Sequence, residues 1–239
     1  MKIAIIGYGK MGHEIERIAR LKGISVQSLI DPNDSAATHK TIDENSMKNV
    51  DVCIDFTRPD AVIESINRIS RFKKNIVIGT TGWHDKLDEA RDIVKKNNIG
   101  LIYASNFSIG VNIFFRIIEN ASKIINNIDD YDVFGYELHH NKKLDSPSGT
   151  AKSIEKILTS NIKRKERVLF ASVRAGSIPG THVVGFDSSA DTIELKHTAR
   201  NREGFALGAI MAAEWIHNKK GFYSINDMMN EIIGVDSNV

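Results

Sequence analysis

The chain has 239 residues, of which 41% are hydrophobic and 26% charged, with a formal net charge of +2. That composition is ordinary for a globular protein of one large domain or two small ones, and its charge is too mild to point to nucleic acid. A single cysteine, Cys53, rules out an internal disulfide framework and fits a reducing compartment. No apolar run reaches the length of a membrane span and no signal peptide precedes the first strand, so a cytoplasmic protein is expected.

The first element is a buried-type strand, Lys2 to Ile6. Gly7-Tyr8-Gly9-Lys10-Met11-Gly12 follows at once and matches G-x-G-x-x-G. A helix then carries Met11, Ile15, Ile18 and Ala19 on one face, with Gly23 to end it. A second strand, Ile24 to Ile30, ends at Asp31, an acid about 20 residues beyond the loop. Strand, glycine loop, helix and acid together are the context of a dinucleotide site. Gly7 permits the turn, Gly9 lets a pyrophosphate approach the backbone, and Gly12 permits close packing. Asp31 would accept hydrogen bonds from the adenosine ribose. Lys10 favours the 2′-phosphate of NADPH and Asp31 opposes it, so both NADH and NADPH are expected to serve.

The alternation continues with a strand from Val50 to Phe56 that buries Cys53, and a helix initiated at Pro59. Next come a strand from Asn75 to Gly79, a helix from about Lys86 to Asn97, and a strand from Leu101 to Ala104. Gly79, Thr80 and Thr81, and Ala104, Ser105, Asn106 and Phe107, lie at the carboxyl ends of their strands. In an open parallel sheet, ligands bind there.

After Phe107 the pattern changes. A long apolar helix, Val111 to Ile125, leads to a strand, Asp132 to His139. A helix from Thr150 follows, then strands over Val168 to Val173, His182 to Phe186 and Thr192 to His197, and helices from Glu203 to His217 and Ile225 to Ile233. The basic run from Lys163 to Arg167 is broken by Glu166 and reads as an exposed loop. The expected architecture is α/β. A Rossmann-type parallel-sheet domain (1–106) precedes an α+β substrate and oligomerisation domain with a mixed sheet (107–203), and C-terminal helices (204–239) return to the first domain.

The stretch Glu137-Leu138-His139-His140-Asn141-Lys142-Lys143-Leu144-Asp145-Ser146-Pro147-Ser148-Gly149-Thr150 concentrates the titratable groups. Ser148, Gly149 and Thr150 open a helix, and a helix start binds anions. The histidines and lysines add charge and a proton donor at neutral pH. The local reading is a site for an anionic substrate that must be protonated. A metal site on His139 and His140 is not expected, because adjacent strand residues point apart.

This stretch fits E-x-H-H-x-x-K-x-D-x-P-S-G-T and resembles the 4-hydroxy-tetrahydrodipicolinate reductase family of lysine and diaminopimelate synthesis. Asp55-Phe56-Thr57, Gly79-Thr80-Thr81-Gly82, Ala104 to Asn112, Arg174-Ala175-Gly176, Gly180-Thr181-His182 and His197-Thr198-Ala199 resemble its other motifs, in the same order. The resemblance implies NAD(P)H-dependent reduction of a small cyclic dicarboxylate, with His139 and Lys143 serving the reaction. It implies His140, Gly149 and Thr150 at the substrate carboxylates, beside Ser148 of the same helix start. It places the dinucleotide on residues 7–12, at Asp31, and along Gly79 to Thr81 and Ala104 to Phe107, and it implies a homotetramer built through the second domain's sheet. The glycine loop is one residue shorter than in many members, and Pro32 stands where some carry an arginine; both bear on cofactor preference. Alternatives to this reading are another two-domain dehydrogenase acting on an amino or keto acid, and a nucleotide-sensing protein without turnover.

Overall fold

Four consecutive apolar residues make β1 (Lys2–Ile6) a strand buried on both faces, as a central parallel strand must be. A computed structural model describes residues 1–234 of the chain. Following β1 are α1 (Lys10–Leu21), β2 (Ser25–Ile30), β3 (Val52–Asp55), α2 (Val62–Arg71), β4 (Asn75–Ile78), α3 (Leu87–Asn97) and β5 (Gly100–Tyr103). Then come α4 (Ile109–Ile125), β6 (Asp132–His139), α5 (Gly149–Asn161), β7 (Phe170–Arg174), β8 (Thr181–Asp187) and β9 (Thr192–Thr198). The described chain ends with α6 (Glu203–Ile216), β10 (Gly221–Ser224) and α7 (Ile225–Ile232). No helix among the described residues is long and apolar enough to cross a membrane.

The chain forms two compact units. One is Met1–Ser108 together with the chain from Arg202 on, and the other is Ile109–Asn201. The first holds a six-stranded sheet in the order β10-β5-β4-β3-β1-β2, with every neighbouring pair parallel. This is the expected Rossmann-type sheet. Its central strands are wholly buried, and α2 lays Val62, Ile66 and Ile69 into the same core. Cys53 is buried there too, and burial pushes its thiol pKa up.

Two expectations are corrected. Pro59 does not open a helix; it begins a turn, and α2 starts at Val62 after Ala61. The sixth strand, β10, lies within a stretch expected to join two helices. Four residues are too few to show a period, and half-burial of all four hides any alternation. Asn75 accounts for the chain's return to the sheet. Its Nδ2 lies 2.6, 2.9 and 3.0 Å from the carbonyls of Ile216, His217 and Lys219, and its Oδ1 accepts from Gly100 N at 2.7 Å. A buried side chain of β4 thus satisfies the last carbonyls of α6 and delivers the chain to β10.

Asp55, at the end of β3, is fully buried. Its Oδ1 accepts from Thr57 N and Thr57 Oγ1, while Oδ2 has no partner. Burial raises its pKa, more than hydrogen bonds from Thr57, Ser65 and Thr80 lower it. A carboxyl raised in this way stabilises the fold at low pH and loses that contribution as pH rises through its folded pKa. Asp55→Asn keeps the Oδ1 acceptor and removes the buried charge. We expect it to melt about 2–4 °C above wild type at neutral pH, with the gap closing as pH falls toward the ordinary aspartate range. Melting curves across pH check this, and a variant that melts lower at neutral pH would contradict it.

The second unit holds a mixed sheet in the order β7-β6-β8-β9. β6 runs parallel to β7 and antiparallel to β8, and β8 runs antiparallel to β9. Phe114 and Ile118 of α4 and Ile154 and Leu158 of α5 pack on one face with Phe170, Val184 and Phe186. Gly135 on β6 is required because the Phe170 ring lies across it, where a Cβ would come within 2.4 Å. On the other face the Phe134 ring covers Gly185, and Phe134 is still 37% exposed.

Candidate active site

Strand register builds the site. Across β7-β6-β8-β9, one row on the helix-covered face reads Phe170, Gly135, Val184, Leu195 and belongs to the core. The next row on that face reads Ser172, Glu137, His182, His197, and beyond it His139 pairs with Arg174. The face therefore changes from apolar to ionisable within two residues of β6. His139 and Glu137 are i and i−2 on that strand, so they share a side. His140 lies just past its end.

Glu137 is at the centre and is fully buried. Its Oε1 accepts from Ser148 N at 2.9 Å, Ser172 Oγ at 2.8 Å and Arg174 Nη2 at 2.9 Å. Its Oε2 lies 3.3 Å from His139 Nδ1 and 3.3 Å from His182 Nε2. Burial raises the carboxyl pKa, but hydrogen bonds from Ser148, Arg174 and Ser172 outweigh it and bring the value down to about 2. Glu137 is thus an anion at neutral pH. Burial lowers the His139 pKa, Glu137 opposes this, and Lys143 and Arg174 add to it. Burial, with His139 nearby, pushes His182 down to about 4. Both rings are neutral at rest, and they meet edge-on with centroids 5.2 Å apart. Facing ligand atoms of Glu137, His139 and His182 all lie within 4.8 Å of one another, compact enough for a metal ion. The same carboxylate already carries the Arg174 guanidinium, which supplies the positive charge there.

Lys143 forms an ion pair with Asp145 at 2.7 Å. That pair, more than burial opposes it, holds the Asp145 carboxyl below the usual range. Ser148 is the N-cap of α5: its Oγ accepts from Ala151 N at 3.1 Å and lies 3.2 Å from His182 Nε2. Ser148 is 2% exposed, and its N–H and hydroxyl are engaged inside the protein. Gly149 faces open space, with no heavy atom within 4 Å of where its Cβ would sit, and Thr150 follows on the same turn. The sequence reading gave no role to Glu137, Arg174 or His182. The two-residue spacing to His139 could have pointed to Glu137, whereas the other two arrive through pairing between strands.

In the first unit, a cavity of about 460 Å³ is lined by Gly7, Gly9 and Asp31. Gly7 has φ +83°. Gly9 has open space where a Cβ would point, and a Cβ on Gly12 would meet the Gly7 carbonyl at 2.5 Å. Asp31 Oδ2 accepts from Tyr8 N at 2.9 Å, and its Oδ1 accepts from Asn33 N at 2.8 Å and Asp34 N at 3.2 Å. Burial raises its pKa and these three backbone donors bring it below the usual range. A ligand with a pyrophosphate and a ribose fits this arrangement of open glycine backbone and ionised acid. The Tyr8 ring is buried against His13 and hydrogen-bonded to Glu16, while Lys10 is exposed and Met11 half-buried at the start of α1. The Phe56 ring lies over Gly79, where a Cβ would come within 2.1 Å, and 6.3 Å from Phe107. Thr80 is fixed through its carbonyl, which accepts from Trp83 Nε1. Thr81 and Ser105 are exposed, Asn106 is half-buried, and Ala104 is buried. Lys40, Arg58 and Arg68 also line the cavity and were not expected. Two of them lie in loops without a periodic pattern, where sequence reading has little to hold.

Family models match both halves of the chain: residues 1–107 match the N-terminus of dihydrodipicolinate reductase and residues 110–229 its C-terminus. The chain belongs to the dihydrodipicolinate reductase family. A relative from Christiangramia forsetii, a 4-hydroxy-tetrahydrodipicolinate reductase, is 39% identical over 97% of this chain and 99% of its own length. A reductase of the same name from Buchnera aphidicola subsp. Schizaphis graminum is 41% identical over 79% of this chain and 76% of its own. Among solved structures, the dipicolinate-bound dihydrodipicolinate reductase from Paenisporosarcina sp. TG-14 has the same fold. Its TM-score is 0.81 at 23% identity, covering 95% of this chain and 99% of that one.

Proposed function

We propose that this chain reduces 4-hydroxy-tetrahydrodipicolinate to tetrahydrodipicolinate in lysine and diaminopimelate synthesis, as an NAD(P)H-dependent oxidoreductase. The observation that carries the reading is the Glu137 carboxylate. It lies 3.3 Å from the His139 imidazole and accepts from the capped start of α5 at 2.9 Å. A substrate with carboxylates and a ring that must gain a proton needs both together.

The substrate loses water and takes up one hydride and one proton. The dinucleotide supplies the hydride when bound. His140, Gly149 and Thr150 are assigned to the substrate carboxylates, with Ser148 holding the helix start in shape. Their donors and the dipole of α5 favour an anion there. His139 is neutral at rest, and a bound dianion raises its pKa by its charge, so the proton arrives with the substrate. Lys143, released from Asp145 or shared with it, places a cation at the charge that develops on the ring.

Gly7 to Gly12, Asp31, Gly79 to Thr81 and Ala104 to Phe107 are assigned to the dinucleotide, and either NADH or NADPH is expected to serve. Asp31 favours NADH through the ribose hydroxyls, while Lys40, Arg58 and Arg68 in the same cavity offer partners for a 2′-phosphate. Asp31→Asn keeps an acceptor oxygen and removes the charge. Its NADH-to-NADPH affinity ratio is expected to move about tenfold toward NADPH, measured by fluorescence titration with each. Equal changes for both would remove Asp31 from the ribose. The apolar face of the second sheet, with Phe134 and Val173 exposed, suits a homotetramer. Cys53, buried as a free thiol, suits the cytoplasm.

The test is oxidation of NADH and of NADPH by the purified protein with freshly made 4-hydroxy-tetrahydrodipicolinate. Substrate-dependent oxidation is expected with both. None with either, from folded protein that binds dinucleotide, would leave a different dehydrogenase or a sensor.

A further inference from the structure

Glu137 Oε2 and His139 Nδ1 are both buried and lie 3.3 Å apart, and neither atom has a hydrogen-bond partner within ideal geometry. A buried ionised oxygen of this kind requires donors, since leaving it unsatisfied is costly. The two nearest groups are the facing imidazole nitrogens of His139 and His182. An ionised carboxylate can only accept. His182 Nε2 also lies 3.2 Å from the Ser148 hydroxyl and can accept from it, so His139 is the donor left for Oε2, and a hydrogen on its Nδ1 satisfies both orphaned atoms; for a neutral His139 this is the Nδ1–H tautomer. His139 Nε2 is left as the working atom. It is directed toward Gly180, where a Cβ would stand 3.0 Å from it and crowd it.

The other oxygen of the same carboxylate holds Ser148 N, the cap of α5, and Arg174 Nη2. Arg174 also donates to the Asp145 carbonyl at 2.6 Å, at the base of the loop that carries Lys143. One buried side chain thereby fixes the ring, the helix start and the lysine loop in a single frame. We propose that Glu137, seconded by His182, is a positioning residue that sets the His139 tautomer and locks that ring to the carboxylate-binding turn of α5. This rests on the functional reading above only for its consequence in turnover; the tautomer follows from the 3.3 Å approach and the carboxylate's need for a donor. The groups facing His139 are Glu137 on β6, Lys143 and Asp145 on the loop, Arg174 on β7 and His182 on β8.

Glu137→Gln is the informative change. The Gln carbonyl oxygen can still accept from Ser148 N and Arg174, so the turn of α5 keeps its anchor. Its amide N–H₂ then faces His139 Nδ1, which must become an acceptor, and the proton moves to Nε2. The experiment is nitrogen-15 NMR of the full-length protein with labelled histidine, His139 being assigned through His139→Asn, together with steady-state kinetics of wild type and Glu137→Gln. The expected result is an Nδ1–H His139 in wild type and an Nε2–H His139 in the variant. Turnover in the variant is expected to fall at least about tenfold, with substrate KM and NADPH affinity little changed. A buried Glu that served stability alone would not move the tautomer or separate kcat from KM. An Nε2–H His139 in wild type, or a variant with wild-type kcat, overturns the proposal. If Glu137→Gln does not fold, the wild-type spectrum decides it. If wild-type protein does not oxidise NADPH with the substrate, the functional reading fails while the spectrum still tests the tautomer.

Discussion

Lys143→Ala is expected to lower kcat by about 10²- to 10³-fold while leaving dinucleotide affinity within about twofold. The lysine sits in the β6–α5 loop of the second unit, paired with Asp145 at 2.7 Å, and its charge reaches His139. The glycine loop and Asp31, which carry the dinucleotide assignment, belong to the first unit. Removing Lys143 therefore takes away the cation beside His139, and leaves the glycine loop and Asp31 unchanged. Steady-state kinetics with a parallel NADPH titration separates the two effects. A loss of less than about threefold in kcat would contradict the assigned role, and a matching loss of NADPH affinity would show that the variant's fold is disturbed. Lys143→Arg should recover only part of the rate, because a planar guanidinium does not occupy the position of an ammonium.

Gly7→Ala is expected to destabilise the first unit by about 2–4 kcal/mol, lowering its melting temperature by roughly 5–15 °C. Two effects add at this position. The backbone has φ +83°, which an L side chain rarely adopts. A Cβ would also sit 2.6 Å from the Phe56 carbonyl oxygen and 2.8 Å from its carbon, and these are backbone atoms at the end of a buried strand that cannot swing aside. Gly9→Ala is the control. It has an ordinary φ of −81° and open space where its Cβ would point, so it should melt close to wild type yet bind dinucleotide weakly. Thermal melts and NADH titrations of the two variants check this. Equal melting temperatures would show that the loop can re-form around a side chain at Gly7.

The contrast between those two glycines shows what sequence can carry. The spacing G-x-G-x-x-G, set between an apolar run and a helical pattern, marked β1, the tight turn at Gly7 and α1, because strand and helix periods are local properties. The same locality delivered β6 with its bounds intact and put His139 at its end. Other features depended on pairing between distant segments. Nothing in the chain around His182 says that it will face Glu137, since the antiparallel register of β6 and β8 sets that. Arg174 reaches His139 through a parallel pairing of the same kind. β10 is a strand because β5 offers it an edge and Asn75 delivers the chain there, and its four residues carry no period. Lys40 and Arg58 line the cavity at Gly7, Gly9 and Asp31 from irregular loops.

The interleaving of the two units bears on how the chain is made. Residues 109–201 form one unit from an uninterrupted segment, whereas the unit begun first needs the chain from Arg202 on to finish it. On the ribosome, the nascent chain can therefore complete its second unit while the first still lacks α6 and β10. Until β10 emerges, β5 is an unprotected sheet edge, and until the end of α6 and the turn after it emerge the Asn75 amide has none of the three carbonyls it will later bind. The unit that carries the glycine loop, though translated first, matures last.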